Sequence, residues 1–71
     1  MAGSRALRIK MFSCSCTVKE LSQVLGLSTA ALYRRLNGKI SFTISEMLKC
    51  VEHLGLTDEE RNQIFFASEV S

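Results

Sequence analysis

Three kinds of side chain in this sequence of 71 residues could do chemistry: basic groups, thiols and one imidazole. The basic groups are unevenly placed. Through Lys39 the chain carries Arg5, Arg8, Lys10, Lys19, Arg34, Arg35 and Lys39 against Glu20 alone, a balance of +6. Beyond it, Lys49 and Arg61 stand against Glu46, Glu52, Asp58, Glu59, Glu60 and Glu69, a balance of −4. A basic part joined to an acidic one suits an oriented encounter with a polyanion, because Lys and Arg displace the counterions condensed on phosphates. Two separately solvated faces would give the same pattern.

The thiols are Cys14, Cys16 and Cys50, an odd number that argues against a disulfide framework. Cys14 and Cys16 could donate to a metal, but a closed zinc site wants four ligands, and Cys50 with His53 would have to complete it from a separate helix. The spacing does not demand that. The cysteines read instead as buried, inert filler, with no metal and no cofactor. His53, beside Glu52 and just before Gly55, reads as a helix-end residue. No nucleophile–base constellation is visible and a chain of this length leaves little room for a deep pocket, so the expected protein is not an enzyme and takes no small-molecule ligand.

The elements that must position these groups are helical. Three Thr-x-x-Glu boxes, Thr17 to Glu20, Thr43 to Glu46 and Thr57 to Glu60, each offer a hydroxyl to the third residue's N–H and a carboxylate back to the Thr N–H. Ser28 and Ser4 offer two more starts. Ile44, Met47, Leu48, Val51 and Leu54 recur at three and four and predict a core-facing helix stopped by Gly55. Leu21, Val24 and Leu25 end at Gly26, and Leu32 and Leu36 precede Asn37-Gly38. Sustained alternation of period two is missing, as is any apolar run near the roughly 20 residues that cross a bilayer. The reading is one all-α domain of five short helices over residues 1–71, the first from about Ser4 to Phe12, with flexible ends at 1–4 and 67–71. Ile64, Phe65 and Phe66 must be buried somewhere.

Residues 17–38 read as a helix-turn-helix. Leu21, Leu25, Leu27 and Leu32 supply the crossing contacts, Ser22 the small position, Gly26 the corner and Ser28 the cap of the second helix. At these residues the sequence resembles the Cro/C1-type, Xre-like regulators of bacteria and their phages. Asn37-Gly38-Lys39, Phe42 to Glu46 and Leu54-Gly55-Leu56 extend the resemblance over roughly Leu7 to Phe66, and Tyr33 to Gly38 with Ile64-Phe65-Phe66 look most like short, phage-type members. The resemblance implies a lambda-repressor-like fold and a cytoplasmic transcriptional regulator, a repressor, working at the bacterial nucleoid with no membrane involved.

It also implies roles. A recognition helix from about Ser28 to Leu36 would read the major groove with Thr29, Ala30, Tyr33 and Arg34. Arg34 can fork to guanine, and the methyls of Thr29 and Ala30 suit thymine. Val18, Lys19, Ser28, Arg35, Asn37 and Lys39 would hold phosphates and set register. Asn37 could also serve as a left-handed helix end. Two departures stand out: the family usually has an apolar residue where Arg35 stands and often a Glu where Leu36 stands, able to pair with an Arg on the first helix. A contact of Met11 with Leu36 would replace that pair and leave Arg35 free to face phosphate. One domain reads a half-site, so a homodimer on double-stranded DNA is expected, joined through residues after the fourth helix such as Leu56, Phe65 and Phe66, although the two aromatics read more readily as core. The same fold could also serve as a protein-interaction module, antirepressor or antitoxin-like, without binding DNA; the basic first part weighs against it.

Overall fold

The computed structural model describes residues 2–66, with side chains from Arg5 onward. Five α-helices follow one another: α1 (Ala2–Ser13), α2 (Val18–Leu25), α3 (Thr29–Leu36), α4 (Ile44–Leu54) and α5 (Asp58–Arg61), the last running into a π-helical turn, Asn62–Phe66. Among the described residues there is no strand, and no helix is long and apolar enough to cross a membrane. The expected flexible ends fall partly on Met1 and 67–71, outside the described residues, and partly on Ala2–Ser4, which are helical here, so the first helix begins ahead of Ser4 and not at it.

Each helix after the first starts at a hydroxyl. Thr17, Ser28, Thr43 and Thr57 all hold extended backbone and accept from the N–H three residues on, at 3.1 Å in each case. Two of the three Thr-x-x-Glu boxes close: Glu46 and Glu60 accept from the N–H of Thr43 and Thr57 at 3.0 and 2.9 Å. The third stays open, because the carboxylate of Glu20 points to His53 instead. Gly26 (φ 73°) and Gly55 (φ 63°) end α2 and α4 in the left-handed conformation that a side chain resists, and the next N–H reaches back five residues, Leu27 to Ser22 O and Leu56 to Val51 O.

Leucines from several helices make one core: Leu7 and Met11 of α1, Leu21 and Leu25 of α2, Leu32 and Leu36 of α3, with Cys50, Leu54, Leu56 and Ile64 closing it from the acidic side. α4 differs from its sequence reading. Cys50, Leu54 and Glu46 are its buried residues, whereas Ile44 and Leu48 are 75% and 62% exposed. At about 100° per residue the helix turns Glu46, Cys50, Met47, Val51 and Leu54 inward and leaves Ile44 and Leu48 just past that arc's edge. The apolar stripe is wider than the face it buries.

The chain's end is corrected too. Leu56 and Ile64 are buried, and Phe65 packs edge-on against Phe42 with ring centroids 5.4 Å apart. Leu56, offered as a dimer contact, is therefore core of one subunit; of the two aromatics the core reading holds for Phe65, which packs half-buried against the core, while Phe66 is exposed. A salt bridge from Lys10 to Glu60 at 2.9 Å ties α1 to α5.

Candidate nucleic-acid interface

α2 and α3 are joined by Gly26, Leu27 and Ser28 only, so the direction of α3 is set by how its apolar side seats. Leu32 and Leu36 are 0% and 1% exposed, which locks that side inward. Thr29, Ala30, Tyr33 and Arg34 then fall within roughly 140° of arc on the outer side at about 100° per residue. All four are exposed, Tyr33 at 46%. Arg34 makes no ion pair among the described residues. An outward face carrying a guanidinium, a phenol, a hydroxyl and methyl groups has the donors and apolar contacts that base edges require.

A second surface lies beside the start of α2. An open groove of about 740 Å³ is bordered by Arg8, Met11, Phe12, Ser15, Cys16, Thr17, Val18 and Leu36. Thr17 spends its hydroxyl on the N–H of Glu20, so the N–H groups of Val18 and Lys19 find no backbone or side-chain acceptor among the described residues. Free N–H groups at a helix start, with Lys19 exposed beside them, favour an anion. Arg8 joins this set unannounced by the sequence reading: its Nη2 donates to Asn37 Oδ1 at 2.9 Å, bringing a cation from α1 to the end of α3. Its only signal was its charge. Lys39 and Ser28 are exposed at the two ends of α3.

A helix-turn-helix family model (HTH_3) matches residues 5–61 of the chain, most of its length. The chain belongs to the Cro/C1-type helix-turn-helix family. Comparison with curated proteins and with solved structures returns no match. The family is one of DNA-binding domains, and the exposed arc of α3 lies on the second helix of its defining motif.

Within this Cro/C1-type frame two site expectations are corrected. Arg35 is not free to face phosphate: Nε and Nη2 fork onto Glu46 at 2.8 and 3.2 Å, Nη1 donates to Ala31 O at 3.1 Å, and the side chain is 13% exposed. The fork exists because the Thr43 box already fixes the Glu46 carboxylate on the buried side of α4. Burial pushes the Glu46 carboxyl toward protonation, but hydrogen bonds from Arg35 and the Thr43 N–H outweigh it and hold its pKa below the ordinary value. Asn37 is not left-handed either (φ −85°); Gly38 (φ 78°) takes that conformation, and Asn37 keeps its side-chain amide for other use.

The expected apolar association of Met11 with Leu36 has its counterpart in the core. Met11 and Leu36 share the core and border the same groove. The thiols divide. Cys16 and Cys50 are buried as expected, and burial, with nearby Glu20 and Glu46 adding to it, pushes their pKa values up to about 11 and about 12. Neither is a thiolate at neutral pH. Cys14 is exposed, against the expectation of filler, and its Sγ donates to Leu54 O at 3.7 Å. His53 is not a passive helix end: its Nε2 lies 2.7 Å from Glu20 Oε2 and links α4 to α2.

Proposed function

We propose that this domain binds double-stranded DNA sequence-specifically as a transcriptional regulator, with α3 in the major groove and Thr29, Ala30, Tyr33 and Arg34 at the base edges. The observation that carries this is the outward arc of α3, exposed to solvent and backed by Leu32 and Leu36, which cannot rotate away without leaving the core. The N–H groups of Val18 and Lys19 at the start of α2, with Arg8 on the border of the adjoining groove and Asn37 hydrogen-bonded to Arg8, serve as the seat for a phosphate; Ser28 and Lys39 serve the flanking backbone. A domain seated in the groove excludes other proteins from the DNA it covers, which makes repression its simplest action.

Titration of a duplex by fluorescence anisotropy at several salt concentrations tests the reading. Log affinity must fall linearly with log salt, and Lys39→Ala must flatten that slope by about 1 while weakening all sequences alike. Absence of duplex binding even at low salt would reassign the scaffold to protein interaction.

A half-site reader of this kind works as a two-fold pair. With Leu56 and Phe65 packed in the subunit, the exposed apolar residues include Ile9 and Phe12 on α1 and Ile44 and Leu48 on α4, and the α4 edge is the one we assign to a second copy, because it lies after the helix-turn-helix and outside the groove that Phe12 borders. Leu48→Lys is expected to raise the dimer dissociation constant at least about tenfold in sedimentation equilibrium, because each copy loses a buried leucine and gains a charge. An unchanged constant would place the contact elsewhere.

A further inference from the structure

Glu20 breaks a rule that its two counterparts obey. Glu46 and Glu60 each fold back to close their capping boxes, but Glu20 leaves the Thr17 N–H and lies 2.7 Å from His53 Nε2. The third group at this spot is the thiol of Cys16. The Cys16 sulfur, a Glu20 carboxylate oxygen and a His53 ring nitrogen all lie within 4.8 Å of one another. The three residues come from three places in the chain: the link before α2, the first turn of α2 and the last turn of α4. A left-handed Ser15 (φ 55°), a conformation serine adopts at a cost, turns the chain so that Cys16 reaches the cluster.

We propose that Cys16, Glu20 and His53 form a binding site for a divalent, borderline-soft cation, Zn²⁺ in the first instance. Sulfur, imidazole nitrogen and carboxylate oxygen are the three donor types that zinc takes, and three protein ligands with one open position is a coordination it adopts. A tetrahedral ion with bonds of about 2.0–2.3 Å holds its ligands roughly 3.3–3.8 Å apart, so the cluster needs only side-chain adjustments to close on it. Thiolate and carboxylate together supply two negative charges and neutralise the ion. The proton leaves Cys16 as the metal–sulfur bond forms and passes to solvent. The ion has a way in, because the side chains of Glu20 and His53 are 48% and 32% exposed while Cys16 forms the buried floor. Once bound, it would clamp the start of α2 to α4, bracing the helix whose free N–H groups face the phosphate seat. The filler reading of the cysteines then holds for Cys50 and not for Cys16.

Co²⁺ added to the reduced, full-length chain provides the test. One equivalent is expected to give a thiolate-to-cobalt charge-transfer band and the visible bands of a tetrahedral ion. Cys16→Ser should abolish the charge-transfer band. Glu20→Gln and His53→Gln should each weaken binding at least about tenfold, the loss known even for residues one step removed from an ion. Cys14→Ser should leave the spectrum unchanged. Zn²⁺ at ten times its dissociation constant should raise the melting temperature by roughly 5–10 °C. If a variant fails to fold, the wild type still decides, since His53 is the chain's one histidine and its ring signals in NMR spectra must move on Zn²⁺ addition. No charge-transfer band, a band that survives Cys16→Ser, or ring signals that stay put would each overturn the site.

Discussion

Replacing Glu46 by Ala is expected to lower the stability of the domain by about 3–5 kcal/mol, the penalty for leaving a buried charge without its partner. The charge left behind is Arg35, 13% exposed and forked onto Glu46 through two nitrogens. A chain of this size has a total stability of roughly 4–10 kcal/mol, so the variant would sit close to its unfolding threshold at 37 °C. The loss also removes the carboxylate that accepts from the Thr43 N–H and starts α4. Urea denaturation at neutral pH measures it as a lowered midpoint. Two further results separate the ion pair from simple packing. Replacing both partners by apolar residues, Arg35→Met with Glu46→Leu, should recover most of the loss, because neither charge then has to be desolvated. Acid should act on the wild type as the substitution does. The Glu46 pKa is depressed on folding, so its contribution is whole above the unfolded carboxylate value of about 4.3 and is lost as pH falls through the lower folded value. The Glu46→Ala variant should show less of that acid sensitivity. If Arg35 were a phosphate contact at the surface, Glu46→Ala would cost only the capping bond to Thr43, about 1 kcal/mol, and the double replacement would recover none of it.

How much of this was legible in the residues depends on how far apart the partners lie. The four hydroxyl caps and the glycine stops at Gly26 and Gly55 appear where the sequence reading places them, because each rests on atoms within five residues. The outward arc of α3 was legible for a similar reason: Leu32 and Leu36 orient the whole helix once both are buried. The errors lie in pairs distant along the chain. Arg35 looked free because Glu46, eleven residues on, already had a capping role that accounted for it, and only the packing of α3 on α4 shows that one carboxylate serves both. Glu20 and His53 are thirty-three residues apart and were each explained locally, one as a box residue and the other as a helix end. On α4 the periodicity identified the helix but not the limits of its buried face, since a partner's width decides whether Ile44 and Leu48 are covered. Local chemistry could be read directly, while side chains with two plausible employers needed the third dimension.

Arg34→Ala is expected to change which DNA sequences are bound, more than how tightly DNA is bound in general. With Arg35 held by Glu46, Arg34 is the remaining guanidinium on α3, and it stands on the same arc as Thr29, Ala30 and Tyr33. A guanidinium forked to O6 and N7 of one guanine discriminates by about 1–3 kcal/mol, so preference at that base pair should fall by roughly 5- to 150-fold. Selection of bound sequences from a random duplex pool reads this directly. Wild type should enrich a guanine at one position of each half-site, Arg34→Ala should lose enrichment there, and neighbouring positions should be preserved because Thr29, Ala30 and Tyr33 still meet their own bases. Arg34→Lys distinguishes geometry from charge: an ammonium keeps the attraction to phosphate but cannot present two parallel donors, so it should restore affinity and not the preference. Uniform weakening of all sequences by Arg34→Ala, rescued by Arg34→Lys, would make Arg34 a phosphate contact. No effect on binding beyond a few tenths of a kcal/mol in stability would reduce it to a cation that complements the end of the α3 dipole. The arc of α3 would then lie away from the bases, and the proposed reading of the groove would have to be abandoned together with it.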